Sequence, residues 1–161
     1  MKKLLIIRGC PSAGKTTLAE KLSSELNAKV IHLEYLYNGW NDALSPTLTK
    51  HLQNLCNAIS KGEIHQLPIY NWSKNKYDSL DPITPDKILI IEGVGAGQSA
   101  IRDFASALIW VDADPEIALK RVMERDGYKY PEEITRWKER EARHFAKEQT
   151  AKFADFHYFT S

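Results

Sequence analysis

Gly9-Cys10-Pro11-Ser12-Ala13-Gly14-Lys15-Thr16 has the spacing G-x-x-x-x-G-K-[ST] and directly follows the apolar run Leu4-Leu5-Ile6-Ile7. Strand, tight loop and helix start are the context in which this spacing binds phosphate. The glycines let backbone N–H groups curl around a phosphate chain, and the positive end of the following helix points at the same place. Lys15 can reach the β- and γ-phosphates, and the Thr16 hydroxyl can ligate Mg²⁺. Gly9, Pro11, Ser12, Ala13, Gly14, Lys15, Thr16 and Thr17 are therefore the expected nucleotide cradle. Glycine-rich turns before helices are common, but the full spacing with both flanks points to a bound nucleoside triphosphate.

Phosphoryl transfer needs a positioned hydroxyl or water, a metal held through carboxylate or water contacts, and cations for the developing charge. Glu92 follows an apolar run and suits Mg²⁺-water coordination, whereas Glu34 suits orienting and deprotonating an acceptor hydroxyl. The two roles could be exchanged, and either residue could be a solvated carboxylate at a strand end. Arg121 and Arg125 lie four apart, on one face of a helix, and guanidinium groups clamp phosphoryl oxygens without losing charge. Arg136 and Arg140 are weaker candidates, because acidic neighbours offer them surface pairing. Glu141 and His144 lack a third ligand for a metal site, so a lid contact or a packed helix face explains them better.

The elements that must position these groups alternate. Leu4–Ile7, 30–33, 88–91 and 108–111 read as short buried strands, and 156–159 as a last one. Helices are expected over Lys15–Leu26, 47–61, 101–107, 115–126 and 131–149. Pro115 suits a first helical turn, where a proline gives up no hydrogen bond. Residues 63–86 look like an extended excursion over the site, with Pro82 and Pro85 breaking regular structure. Strands alternating with helices argue for an open, mainly parallel α/β sheet. Ligands collect at the carboxyl ends of such strands, where Gly9–Thr16, Glu34, Glu92 and Asp112 fall.

With 161 residues the chain fits one domain with a substantial core. Its 22 Lys+Arg nearly balance 21 Asp+Glu, which argues against a nucleic-acid partner, whose usual mark is a strong basic field. No apolar stretch approaches the roughly 20 residues of a membrane span, so no membrane partner is expected. Met1–Ile7 superficially resembles a signal peptide, but the run leads into Arg8 and the phosphate loop and reads better as a first strand. Cys10 and Cys56 form no spaced motif, and a reduced cytoplasmic setting is expected. Core faces and exposed apolar faces look alike in sequence, which suits a monomer and a homodimer equally.

Gly9–Thr16, Glu34-Tyr35-Leu36-Tyr37, Pro68-Ile69-Tyr70-Asn71-Trp72, Glu92-Gly93-Val94 and Arg121–Asp126 occur in an order that resembles the uridine kinase branch of P-loop nucleoside and nucleotide kinases. Trp137, Glu141, His144, Phe145 and Ala154-Asp155 are similar to the tail of small bacterial uridine kinase-like ATP-binding proteins. The resemblance implies a P-loop NTPase three-layer sandwich with a five-stranded, mainly parallel sheet and a helical lid. One domain would span 1–161, with 63–86 as an acceptor-side insertion and 121–143 as the lid region. It further implies Glu34 as the acceptor-side base, matching the acidic residue of a D-x-F-Y-like segment, with Tyr37 matching the tyrosine. The segment matching P-x-Y-D-F would line the nucleoside site with Tyr70, Asn71 and Trp72. Here Glu34 stands for the usual aspartate, and Asn71 for the aspartate that would grip ribose hydroxyls. These departures support ATP-dependent transfer better than they support uridine as acceptor.

The leading expectation is a kinase using ATP and Mg²⁺ on a small-molecule hydroxyl, with a nucleoside as one candidate. Lys15, Glu34, Arg121 and Arg125 are the catalytic candidates, and Thr16 and Glu92 the metal-side ones. The alternatives are a partner-activated P-loop ATPase used as a switch or accessory, and a polynucleotide 5′-hydroxyl kinase.

Overall fold

The computed structural model describes residues 4–9, 12–127 and 131–160, and of residues 126, 127 and 131 the backbone alone. Strands β1 (Leu4–Gly9), β2 (Lys29–His32), β5 (Leu89–Glu92), β6 (Ala107–Ala113) and β7 (Phe156–Thr160) form one sheet in the order β2-β5-β1-β6-β7. Every pairing in it is parallel. Strands buried on both faces need apolar residues at successive positions rather than alternate ones. Ile6 and Ile7, like Ile90 and Ile91, accordingly have no exposed surface.

Consecutive residues serve opposite layers. Ile7, Ile90 and Val111 pack with Ala19 of α1 (Lys15–Leu26) and Ala118 of α4 (Pro115–Val122). Ile6, Ile31, Ile91 and Leu108 instead meet Leu48, Leu52 and Leu55 of α2 (Pro46–Ser60) and Ile101 of α3 (Ser99–Arg102). Trp137 of α5 (Pro131–Glu148) packs on this second cluster. The result is a three-layer α/β/α sandwich. Pro115 opens α4, and Asp114 caps it by accepting from the amides of Glu116 and Ile117.

Three expectations change in detail. Residues 65–71 (β3) and 76–83 (β4) form a separate antiparallel hairpin, and Pro82 lies within β4. A two-stranded ribbon has only edge strands, where a missing N–H is tolerated, so Pro82 does not interrupt it. The helix expected over 101–107 is the single turn Ser99–Arg102, because Ala107 already belongs to β6. The helix expected to reach 126 ends as an α-helix at Val122 and continues as a π-turn over 123–127. The wider turn takes Arg125 off the face that carries Arg121: Arg121 is half-buried and Arg125 exposed.

A candidate phosphoryl-transfer site at the sheet's carboxyl edge

The loop between β1 and α1 sits on the central strand. Gly9 cannot be replaced without moving backbone, since a Cβ there would lie 1.8 Å from the Val111 carbonyl oxygen on β6. Ser12 (φ 53°) and Gly14 (φ 93°) take left-handed backbone conformations. Residues in such conformations turn successive N–H groups into one concavity, the arrangement that binds anions. Neighbours hold the loop by its carbonyls: Arg121 Nη1 donates to Ser12 O at 3.1 Å and Thr160 Oγ1 to Ala13 O at 2.6 Å. Lys15 is only 8% exposed at the first turn of α1. Pro11 and Cys10 lie outside the described residues.

Glu92 ends β5 beside this loop, is 5% exposed, and accepts from Thr16 Oγ1 at 3.3 Å. His32 Nδ1 donates to the same Glu92 oxygen, Oε1, at 2.7 Å. That partnership raises the His32 pKa against the opposing effect of burial, and the charges of Glu92, Glu34 and Glu20 add to it. A threonine hydroxyl and a buried carboxylate converging beside a phosphate-loop lysine are the donor set that suits Mg²⁺ with its retained waters. Among the described residues, no group of three or more His, Cys, Asp or Glu side chains could hold a metal ion.

Glu34 lies in a short 3₁₀ turn after β2 and is exposed. Two side chains of the hairpin fasten this turn: Trp72 Nε1 donates to Glu34 O at 3.0 Å, and Tyr77 Oη to Leu36 O at 2.7 Å. Tyr37 is buried against Trp137, with ring centroids 5.6 Å apart, and burial pushes its phenol pKa up. Tyr70 is likewise buried, against Trp72 at 5.3 Å and Tyr77 at 5.4 Å. Trp40 joins Trp72 to Trp137, and Arg140 donates to the Trp40 carbonyl. Asn71 is occupied within the hairpin turn. Its Oδ1 accepts from the amides of Ser73 and Lys74, and its Nδ2 donates to Asp78.

Arg121 is thus brought to the phosphate loop, while Arg125 stands exposed in the π-turn beyond it. Arg136 pairs with Glu132 on the surface at 3.5 Å. Two charged groups lie in the interior, and of these Arg8 escaped the sequence reading. Arg8, with no exposed surface, lies over the Phe145 ring at 3.8 Å and near Trp110 at 5.2 Å. Glu141 is 5% exposed on the inner face of α5, and its Oε2 has no hydrogen-bond partner. Burial raises its pKa to about 7, although Lys15, Arg8, the Trp137 hydrogen bond and Lys138 all pull it down. A charged residue closing an otherwise apolar strand was the available signal for Arg8. The burial of Glu141 fits the packed helix face read for it from the sequence.

The profile of the family described as AAA domain matches residues 5–145, which spans the phosphate loop, Glu92, both arginines and most of α5. The chain belongs to this family. Among curated relatives of this AAA-domain chain is uridine kinase-like protein 3 of Arabidopsis thaliana, 24% identical over 138 residues. That match takes in 74% of the chain but 30% of the relative's length, so the chain spans under a third of that protein. A structure described as a possible uridine kinase from Bacillus stearothermophilus superposes with a TM-score of 0.68 at 21% identity, over 98% of this chain and 88% of that one. Shikimate kinase from Bacteroides thetaiotaomicron gives 0.57 at 12% identity, over 97% and 85%. The AAA-domain chain thus has the α/β fold of P-loop NTPases, and its resemblance to the uridine kinase-like branch stands. These relatives are described as a uridine kinase-like protein, a possible uridine kinase and a shikimate kinase.

Proposed function

We propose that the chain is a kinase that transfers a phosphoryl group from ATP, with Mg²⁺, to a hydroxyl of a small molecule, a nucleoside being the first candidate. The observation that carries this reading is the Thr16–Glu92 contact beside the buried Lys15. When bound, magnesium-ATP supplies the transferable phosphoryl group and a metal that neutralises its charge. The amides of residues 13–16 and the Lys15 ammonium bind the phosphates, while Thr16 and Glu92 hold the metal and its water. Glu34, exposed at the carboxyl edge, orients the acceptor hydroxyl and takes its proton on the carboxylate.

Arg121 and Arg125 supply positive charge to the transferring oxygens, within a lid region over 121–143. Tyr37, Tyr70 and Trp72 form the acceptor-side wall together with the 63–86 hairpin. Asn71 serves that wall through its turn, since its amide is already engaged there. No helix among the described residues is long and apolar enough to cross a membrane. We place the chain in the cytoplasm, a reading supported by its sparse cysteines.

Lys15→Ala should abolish acceptor-dependent ADP formation. Glu34→Gln should lower kcat by about 10²–10⁴, the range for loss of a general base, with nucleotide affinity nearly unchanged. Wild-type rates in both variants would contradict the proposal.

A further inference from the structure

The sheet register sets His32 directly beside Glu92: in the parallel pairing of β2 with β5, the two residues are partners. Both strands of that pairing end there, so both side chains emerge at the carboxyl edge, next to the phosphate loop. His32 Nδ1 donates to Glu92 Oε1 at 2.7 Å, and Thr16 Oγ1 donates to that same oxygen at 3.3 Å. Two donors on one oxygen fix the plane of the carboxylate and direct its other oxygen, Oε2. The His32 ring is itself held edge-on to Tyr35, with centroids 6.1 Å apart. Its side chain is 25% exposed, against 6% for Glu92, so the contact lies where a half-buried imidazole meets a buried carboxylate.

We infer that His32 is a positioning residue for the magnesium site, holding Glu92 so that Oε2 is presented to a metal-bound water while Oε1 stays with Thr16. His32 itself touches neither nucleotide nor metal in this arrangement. The inference rests on the proposed role of Glu92 on the metal side. Partners of this kind set ligand orientation, and losing one typically costs about 10–100-fold in metal affinity.

The experiment uses binding rather than turnover. A fluorescent ribose-modified ATP is titrated into the full chain in EDTA and then across a Mg²⁺ series. His32→Asn and His32→Gln are compared with wild type. An Asn amide nitrogen takes the place of Nδ1, whereas the Gln amide lies one methylene further out, near the place of Nε2. Both replacements are polar and suit a half-buried site.

His32→Asn should keep the half-saturating Mg²⁺ concentration within about threefold of wild type. His32→Gln should raise it by about tenfold or more, with nucleotide affinity in EDTA unchanged in both. Equal behaviour of the two variants, or a loss of affinity already present in EDTA, would overturn the inference. Glu92→Gln separates the underlying reading: if wild type responds to Mg²⁺ and Glu92→Gln responds identically, the metal-side role of Glu92 fails and the His32 role with it.

Discussion

Burial decides the charge of Glu141. Its carboxyl is held at about 7, well above the ordinary 4.5, because the interior of α5 disfavours the charged form more than Lys15 and Arg8 favour it. The native state therefore keeps a proton that the unfolded chain loses. Such a group contributes its full stability below the unfolded value and loses it as pH rises through the folded one. Between about pH 4 and pH 7, Glu141→Gln should thus become progressively more stable than wild type. The gain should reach on the order of 3 kcal/mol above pH 7, at about 1.36 kcal/mol per pH unit. Urea unfolding across this range checks it, and a pH-independent difference would contradict it. His144 acts in the opposite sense, because burial and Arg8 lower its pKa to about 4. The unfolded chain takes up that proton as pH falls below 6.5, so the contribution of His144 is lost toward pH 4. A His144→Gln variant should accordingly lose less stability on acidification than wild type, measured by the same unfolding series.

At the scale of elements, the hairpin and α5 fix the segment that carries Glu34. Trp72 and Tyr77 reach its backbone from β3–β4, and Trp137 packs on Tyr37 from α5. Tyr77→Phe leaves the Leu36 carbonyl without this donor and should cost about 1 kcal/mol. Amide exchange should quicken across residues 33–37, with nucleotide affinity unchanged; unaltered exchange there would show that the hairpin does not hold the segment. These dependencies explain what was legible. The phosphate loop, the strand before Glu92 and the proline start of α4 are local patterns, and each falls close to where the spacing puts it. The His32–Glu92 contact joins residues 60 apart through strand register, which no local pattern records. The hairpin was masked by Pro82, and the end of α4 by a π-turn that the helical period does not anticipate.

For the whole molecule, the three layers bring the phosphate loop, Glu92, Glu34 and Arg121 to one edge of the sheet. The interior cation Arg8 lies below them, at the end of the central strand. Two elements brace the loop from outside: α4 through Arg121, and the end of β7 through Thr160. α5 is tied to α3, since Arg102 donates to the Glu148 carbonyl and the Ser99 amide to the Glu148 carboxylate. In the proposed reading, this architecture offers a nucleotide site at the loop and an acceptor wall built from the hairpin and α5. A kinase reading therefore requires turnover that depends on what occupies that wall. The most direct measurement is ADP formation from magnesium-ATP with nucleosides, nucleoside monophosphates, amino sugars and small alcohols in turn, with Lys15→Ala as the blank. A large rise with one compound class, absent in the blank, is the predicted result. Slow hydrolysis that no compound accelerates would contradict it and favour an ATPase stimulated by a macromolecular partner.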